Sequence, residues 1–257
     1  KEIPKDMEIE SFIHGAMCIS YSGRCLLSNY FTKRDANRGN CAHACRWKYY
    51  LMEETRPGQY FPVVEEERGT YIFNSKDLCM INHIDDLIEA GVDSFKVEGR
   101  MKTEYYVANV IRAYRKAIDD YFENKETSKA NHDLYLSMIM KASYRDFTTG
   151  FFYDRPTEED QNYETASYIR DYDYTALVLE YDEENKRAKI MQKNKFLLGD
   201  KLELVRTNGE EFEFVVEDMT DEKGEAVSEA PHPEQILWVK MDRPVSKYDM
   251  IRQKAKD

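Results

Sequence analysis

Four cysteines fall within 28 consecutive residues, and this crowding constrains the chain more than any other feature. The spacing is Cys18-x6-Cys25-x15-Cys41-x3-Cys45, and a fifth thiol stands apart at Cys79. Residues 16–46, which carry the cluster, have little apolar periodicity. A structureless stretch of that length in a compact domain is usually functional or disordered, and the cysteines favour function. Four thiolates at close range fit a soft metal centre such as an iron–sulfur cluster. A zinc ribbon uses two short cysteine knuckles, and only Cys41/Cys45 comes near that pattern. Three readings therefore stand side by side: an iron–sulfur cluster, a zinc site, or buried unligated thiols. Cys79, flanked by Leu78, Met80 and Ile81, reads as a core thiol.

The odd cysteine count and the polar opening at residues 1–6 argue against an exported disulfide scaffold. The expected compartment is reducing and cytoplasmic. No apolar run approaches the ~18 residues that span a bilayer. The 257 residues carry a formal net charge of −12, which disfavours a non-specific nucleic-acid coat. The charge is uneven, however. Residues 24–48 hold Arg24, Lys33, Arg34, Arg38, Arg46 and Lys48 against Asp35 alone, a net of +5, while residues 171–257 sum to −7. A basic loop can neutralise an anionic cluster, or hold an anionic substrate or an RNA phosphate. Arg38 and Arg46 are its cofactor-binding candidates; the plain alternative is a solvated surface loop.

Residues 8–15 read as a strand ending at a glycine turn. Further strands are expected over 47–54, 63–64, 70–73 and 92–99. Asp77 is a candidate N-cap for a segment running through Ile81, with a helix to Ala90 that Gly91 ends. Residues 105–122 form a long amphipathic helix with Val107, Val110, Ile111, Tyr114 and Ile118 on its apolar face. A polar linker (123–132), a short helix (134–140) and an irregular aromatic-rich segment (143–163) come next. From Tyr174 the texture changes to about six short strands with frequent turns, among them a hairpin at Asn208-Gly209. That pattern indicates a small β-barrel.

The string ESFIHGAMC at 10–18, followed by SYSGRCLLS at 20–28, resembles the signature of peptidase family U32. NRGNC at 37–41, CRW at 45–47, NSKDL at 74–78 and FKVEGR at 95–100 continue the likeness. NKF at 194–196, GD at 199–200 and YDMIR at 248–252 are similar to the family's C-terminal barrel. The resemblance implies a 4Fe-4S cluster on Cys18, Cys25, Cys41 and Cys45. It implies membership of a tRNA-modifying branch that hydroxylates wobble uridine to 5-hydroxyuridine using prephenate. Other branches hydroxylate ribosomal RNA or the ubiquinone ring. It also implies that the chain is the C-terminal portion of a longer protein whose first part completes a TIM-like barrel.

The expected fold is thus α/β plus all-β. Residues 1–125 are the C-terminal part of a TIM-like barrel with a metal loop at 14–48. Residues 126–170 are a linker and irregular segment, and residues 171–257 a small β-barrel domain. Chemistry in such a barrel sits at the C-terminal ends of the strands. His14, Lys96, Glu98 and Arg100 are the catalytic candidates on that ground. Alternation puts Lys96 and Glu98 on one face, where they could pair, and Arg100 could clamp a carboxylate of prephenate. The plain alternatives are a structural histidine and a buried ion pair. Lys76 and Asp77 are weaker candidates. Tyr105 and Tyr106 are expected to pack at the helix start, with base stacking as the alternative.

Three functions compete. The first is a tRNA uridine hydroxylase with tRNA as partner, acting alone, as a homo-oligomer or with a paired family member. The second is a collagenase-like peptidase, although the sequence carries no G-x-S-x-G or H-E-x-x-H motif. The third is a non-catalytic RNA- or partner-binding module stapled by a metal.

Overall fold

The computed structural model describes residues 3–255 except 5, 19, 22, 23, 48, 53, 56, 59, 60, 63–74, 161 and 163–167. The strands expected at 63–64 and 70–73 lie outside the described residues. Of the strand expected at 47–54, Tyr50–Leu51 forms. The chain divides into two compact units, Lys1–Ile139 with Tyr144–Ile169, and Met140–Ser143 with Arg170–Asp257.

The first unit runs β1 (Glu10–Ala16), α1 (Leu27–Thr32), β2 (Tyr50–Leu51), β3 (Phe61–Pro62), β4 (Asp77–Cys79) and α2 (Ile84–Glu89). It continues through β5 (Ser94–Val97), α3 (Glu104–Glu123), α4 (Lys125–Ala130), α5 (His132–Met140) and β6 (Phe147–Thr148). Its main sheet has the order β5-β1-β4-β6. β1 is parallel to β5 and antiparallel to β4, with His14 opposite Cys79. β4 is parallel to β6. A TIM-like barrel is all-parallel, so the sheet corrects that expectation: it is mixed, with an antiparallel pair at its centre.

The pair arises because Asp77 does not cap a helix. Its carboxylate, 2 % exposed, is taken by Arg46, and Leu78 and Cys79 beside it are buried. The segment therefore extends as a strand, and helix begins only after a 3-10 turn at Ile81–His83. α2 ends before Gly91, whose φ of +83° suits the turn leading to β5.

α3 starts where the Thr103 hydroxyl accepts from the Tyr106 amide at 3.2 Å. Its buried line is Tyr106, Val110, Ala113, Tyr114, Ala117 and Tyr121. Val107 and Ile111, expected on the apolar face, are 38 % and 47 % exposed. Ala113 and Ala117 are fully buried in that line, and Tyr114 reaches β1, where its hydroxyl donates to the Ile13 carbonyl at 2.9 Å. The segment expected as a polar linker contains α4. Asn124 caps it by accepting from the Glu126 amide at 2.9 Å, giving its polar residues a helix start.

Buried Asp120 ties α3 to the start of α5. It accepts from Tyr135 Oη at 2.6 Å, Asn131 Nδ2 at 3.1 Å and Lys116 Nζ at 3.0 Å.

The second unit is β7 (Tyr172–Asp182), β8 (Arg187–Gln192), β9 (Phe196–Leu197), β10 (Lys201–Val205) and β11 (Glu211–Val215), then β12 (Met219–Asp221), β13 (Glu229–Ala230), β14 (Ile236–Lys240) and β15 (Met250–Lys254). Seven strands form one antiparallel sheet in the order β11-β10-β15-β7-β8-β14-β12, and β9 pairs with β13. One core, including Val178, Ile190, Phe196, Leu204, Leu237 and Ile251, fills the inside of the curl. The expected small barrel is therefore a curled sheet with β11 and β12 at its ends.

Fully buried Arg252 crosses three strands of this sheet. It bonds Glu203 through Nε at 2.8 Å and Glu211 through Nη2 at 2.8 Å, and Lys141 adds a second cation, 2.8 Å from Glu211.

Asp120→Ala leaves the Tyr135 hydroxyl and the Asn131 amide without their acceptor. It is expected to cost about 2–4 kcal/mol in urea unfolding, whereas Asp119→Ala, an exposed neighbour on the same helix, should cost under about 1 kcal/mol.

Candidate active site

The C-terminal ends of parallel β1 and β5 open on one edge of the sheet, and a cleft of about 700 Å³ lies there. Its walls come from the end of β1 and the cysteine-bearing loop, from the turn after β5, and from Phe151-Phe152. Cys18, Cys25, Cys41 and Cys45 all line it, as do His14, Glu98 and Arg100.

Gly15 makes the approach of the two strand ends possible. A Cβ there would lie 2.5 Å from the Glu98 carbonyl oxygen, and its φ is +120°. The Glu98 amide donates to the His14 carbonyl at 2.8 Å, which extends the β1–β5 ladder past a register shift at Phe12/His14.

The cysteine-bearing loop is more ordered than its sequence suggests. It contains α1 and two 3-10 turns, at Ala36–Arg38 and Ala44–Arg46. Asp35 starts the first turn by accepting from the Asn37 amide at 3.1 Å. The buried Ser28 hydroxyl accepts from the Ala42 amide at 2.9 Å, which ties α1 to the residue after Cys41. Arg46 latches the loop inward. Its guanidinium pairs with Asp77 at 3.4 Å, both side chains no more than 3 % exposed. It also donates to the Met17 carbonyl at 3.0 Å and to Tyr168 Oη at 3.3 Å.

The other three thiols of the cluster sit within electrostatic reach of Cys45. Burial raises the pKa of the Cys45 thiol, Arg46 opposes the shift, and Cys41, Cys18 and Cys25 add to it. The His43 amide donates to Cys41 Sγ at 3.3 Å, a bond that would support a thiolate. Among the described residues, no three His, Cys, Asp or Glu side chains gather as they would around a single metal ion. Four thiols on one cleft are a donor set that an iron–sulfur cluster or a zinc ion can use.

His14 is 2 % exposed and enclosed by the rings of Tyr106, Tyr114 and Phe147. Its Nδ1 lies 3.3 Å from Tyr114 Oη, which donates to the Ile13 carbonyl and accepts from the Met80 amide. Burial first, and then the Lys102 charge, push its pKa down to about 3. It is therefore a neutral imidazole at ordinary pH.

Glu98 does not pair with Lys96. The strand ends at Val97, so the turn, not strand alternation, orients Glu98, and its carboxylate accepts from the Arg100 amide at 2.9 Å. Lys96 lies outside the cleft lining and pairs with Glu10 at 2.9 Å. Arg100 lines the cleft with its stem against Gly39, where a Cβ would meet Arg100 Cδ at 2.2 Å. Arg38 points away; its side chain is 87 % exposed and pairs with Asp35 at 3.6 Å.

Two cleft residues escaped the sequence reading. His43 sits inside the Cys41-x3-Cys45 pair, a placement the spacing could have flagged. Burial, then Arg46, Lys102 and Arg145, lower its pKa to about 4, with Asp77 opposing. Lys102 lies two residues beyond Arg100 and lines the same cleft. Burial above all lowers its pKa to about 8.

The folded chain holds the His14 proton less tightly than the unfolded chain, whose histidine titrates near 6.5. Stability present above pH 6.5 is therefore lost as pH falls towards 3. Between pH 7 and 5 the His14 share of that loss is about 2 kcal/mol. Urea unfolding at both values should show His14→Asn flattening the dependence by that amount, with His43 keeping a residual slope of the same sign.

Comparison with known proteins agrees with this architecture. Peptidase family U32 matches residues 1–162, and the Peptidase family U32 C-terminal domain matches residues 170–252. The chain is 41 % identical over 247 residues to tRNA hydroxylation protein P1 of Bacillus subtilis, covering 96 % of this chain and 58 % of that protein. It is 37 % identical to tRNA hydroxylation protein P of Escherichia coli, covering 91 % and 59 %. Over 120 residues it is 42 % identical to the 23S rRNA 5-hydroxycytidine C2501 synthase of Escherichia coli, covering 47 % and 17 %. The chain thus spans somewhat over half the length of the first two relatives. With both of its units matched, it belongs to peptidase family U32.

Proposed function

We propose that this chain is part of an RNA-modifying enzyme that hydroxylates the wobble uridine of tRNA to 5-hydroxyuridine, with prephenate as co-substrate. A 4Fe-4S cluster would be held by Cys18, Cys25, Cys41 and Cys45. One observation carries the reading: four cysteines from a 28-residue span line a single cleft together with His14, Glu98 and Arg100. The named activities of the relatives, tRNA hydroxylation and 5-hydroxycytidine synthesis in ribosomal RNA, supply the reaction class.

The cluster would supply one-electron redox chemistry and Lewis acidity next to the substrate. The chain's own residues do the rest. Arg100 presents a guanidinium to an anionic group in the cleft. Glu98, oriented by the Arg100 amide, can take a proton at its carboxylate. His14, kept neutral, shapes the floor without adding charge. Arg46 acts through position: by gripping Asp77 and the Met17 carbonyl it holds the Cys45 side of the loop against the Cys18 side. No helix among the described residues is long and apolar enough to cross a membrane.

Anaerobically purified protein is expected to be brown, with about four irons and matching labile sulfide per chain. Cys41→Ser should lower the iron content, and stoichiometric zinc in a colourless protein would overturn the cluster. Deleting the gene should remove 5-hydroxyuridine and its derivatives from tRNA hydrolysates read by mass spectrometry, and the Arg100→Ala gene should fail to restore them. Unchanged nucleosides in the deletion strain would sink the function.

A further inference from the structure

The geometry points to Lys102 as the residue that holds a carboxylate of a small organic acid in the cleft. The inference deepens the function proposed above and rests on it for which acid is bound.

The first observation is an unmet demand. Lys102 Nζ has essentially no exposed surface and no hydrogen-bond partner among the described residues. An ammonium carries three donors, and burying them unmet is costly. What surrounds it is aromatic: Nζ lies 3.6 Å from the centre of the Tyr168 ring and 4.7 Å from that of Tyr106. Ring faces stabilise the charge but leave the N–H groups without lone pairs to meet.

The second observation is the local field. The charged groups that act on Lys102 are Asp77, Arg46 and Arg145. Asp77, the one anion of the set, is already engaged by Arg46 at 3.4 Å. The pocket therefore has a surplus of positive charge, which an anion would balance.

The third observation is placement. Lys102 lines the cleft, and so does Arg100 in the same turn, which the Lys102 amide closes onto the Gly99 carbonyl at 2.9 Å. Thr103 then caps α3, so the turn is fixed from both sides. Two cations two residues apart, one exposed at the cleft and one withdrawn between tyrosine rings, suit an acid with two carboxylates. A nucleic-acid phosphodiester carries a sugar on each side and suits a withdrawn ammonium poorly, whereas a small carboxylate needs only the flexible lysine stem to turn Nζ out from between the rings.

Calorimetric titration of the protein with prephenate and with malonate tests the assignment, alongside tRNA binding by fluorescence anisotropy. Lys102→Met is expected to weaken binding of the acid at least about tenfold, the weight of one charged hydrogen bond. Lys102→Arg should stay within about threefold of wild type, and tRNA affinity should hold in both. Lys102→Met should also melt no lower than wild type, since it removes an unpaired buried charge. Equal acid binding by Lys102→Met overturns the proposal, as does a lowered melting temperature, the mark of a structural cation. Loss of tRNA affinity with acid binding intact overturns it too and assigns Lys102 to a phosphate. If wild type binds malonate through Lys102 but does not bind prephenate, the anion site stands and prephenate falls as its ligand. If wild type binds neither acid, both ideas fall.

Discussion

The buried ion pair between Arg46 and Asp77 is the contact on which the arrangement of the first unit depends. The two residues are 31 positions apart and meet at 3.4 Å with almost no exposure. Two charges taken out of water are costly unless their remaining groups are met. Here the Met17 carbonyl and Tyr168 Oη take further donors of the guanidinium. Arg46 comes directly after Cys45, and Met17 precedes Cys18. One side chain therefore brings the two ends of the cysteine-bearing loop together against β4. The pair also explains why Asp77 begins a strand rather than a helix.

The second unit solves a similar problem in a different setting. Arg252 is fully buried within a β-sheet, and Glu203, Glu211 and Lys141 surround it as alternating charges. Arg252 and Glu203 are register partners on β15 and β10, so the pairing favours one alignment of the two strands. An apolar core fills the inside of the same sheet. The acidic surplus of residues 171–257 is thus partly structural, since two of its carboxylates are engaged by a buried cation.

Within the cleft, burial rather than charge sets the behaviour of the histidines. His14 and His43 are both held neutral, and in each case desolvation is the first cause, with nearby cations adding to it. A site crowded with Arg46, Arg145 and Lys102 cannot easily take another positive charge. It is suited to anions: thiolates, a cluster carrying net negative charge, or a carboxylate. The −12 of the whole chain conceals this local reversal.

Much of this was legible in the residues. The cysteine spacing singled out the loop, the 3.6-residue periodicity found α3 to within a residue at each end, and turn chemistry located most strands of the second unit. These signals come from near neighbours along the chain, and near neighbours decide helices and hairpins. The sequence alone thus determined that four thiols share one loop, that the loop is basic, and that a long helix comes after FKVEGR. Only the tertiary structure decided that Asp77 answers Arg46, that Lys96 turns to Glu10 instead of Glu98, and that Val107 and Ile111 face outward. It also decided that Lys102 is withdrawn between Tyr106 and Tyr168. Each of these depends on which distant segment arrives beside the residue and how much water it displaces, and neither is encoded in local spacing.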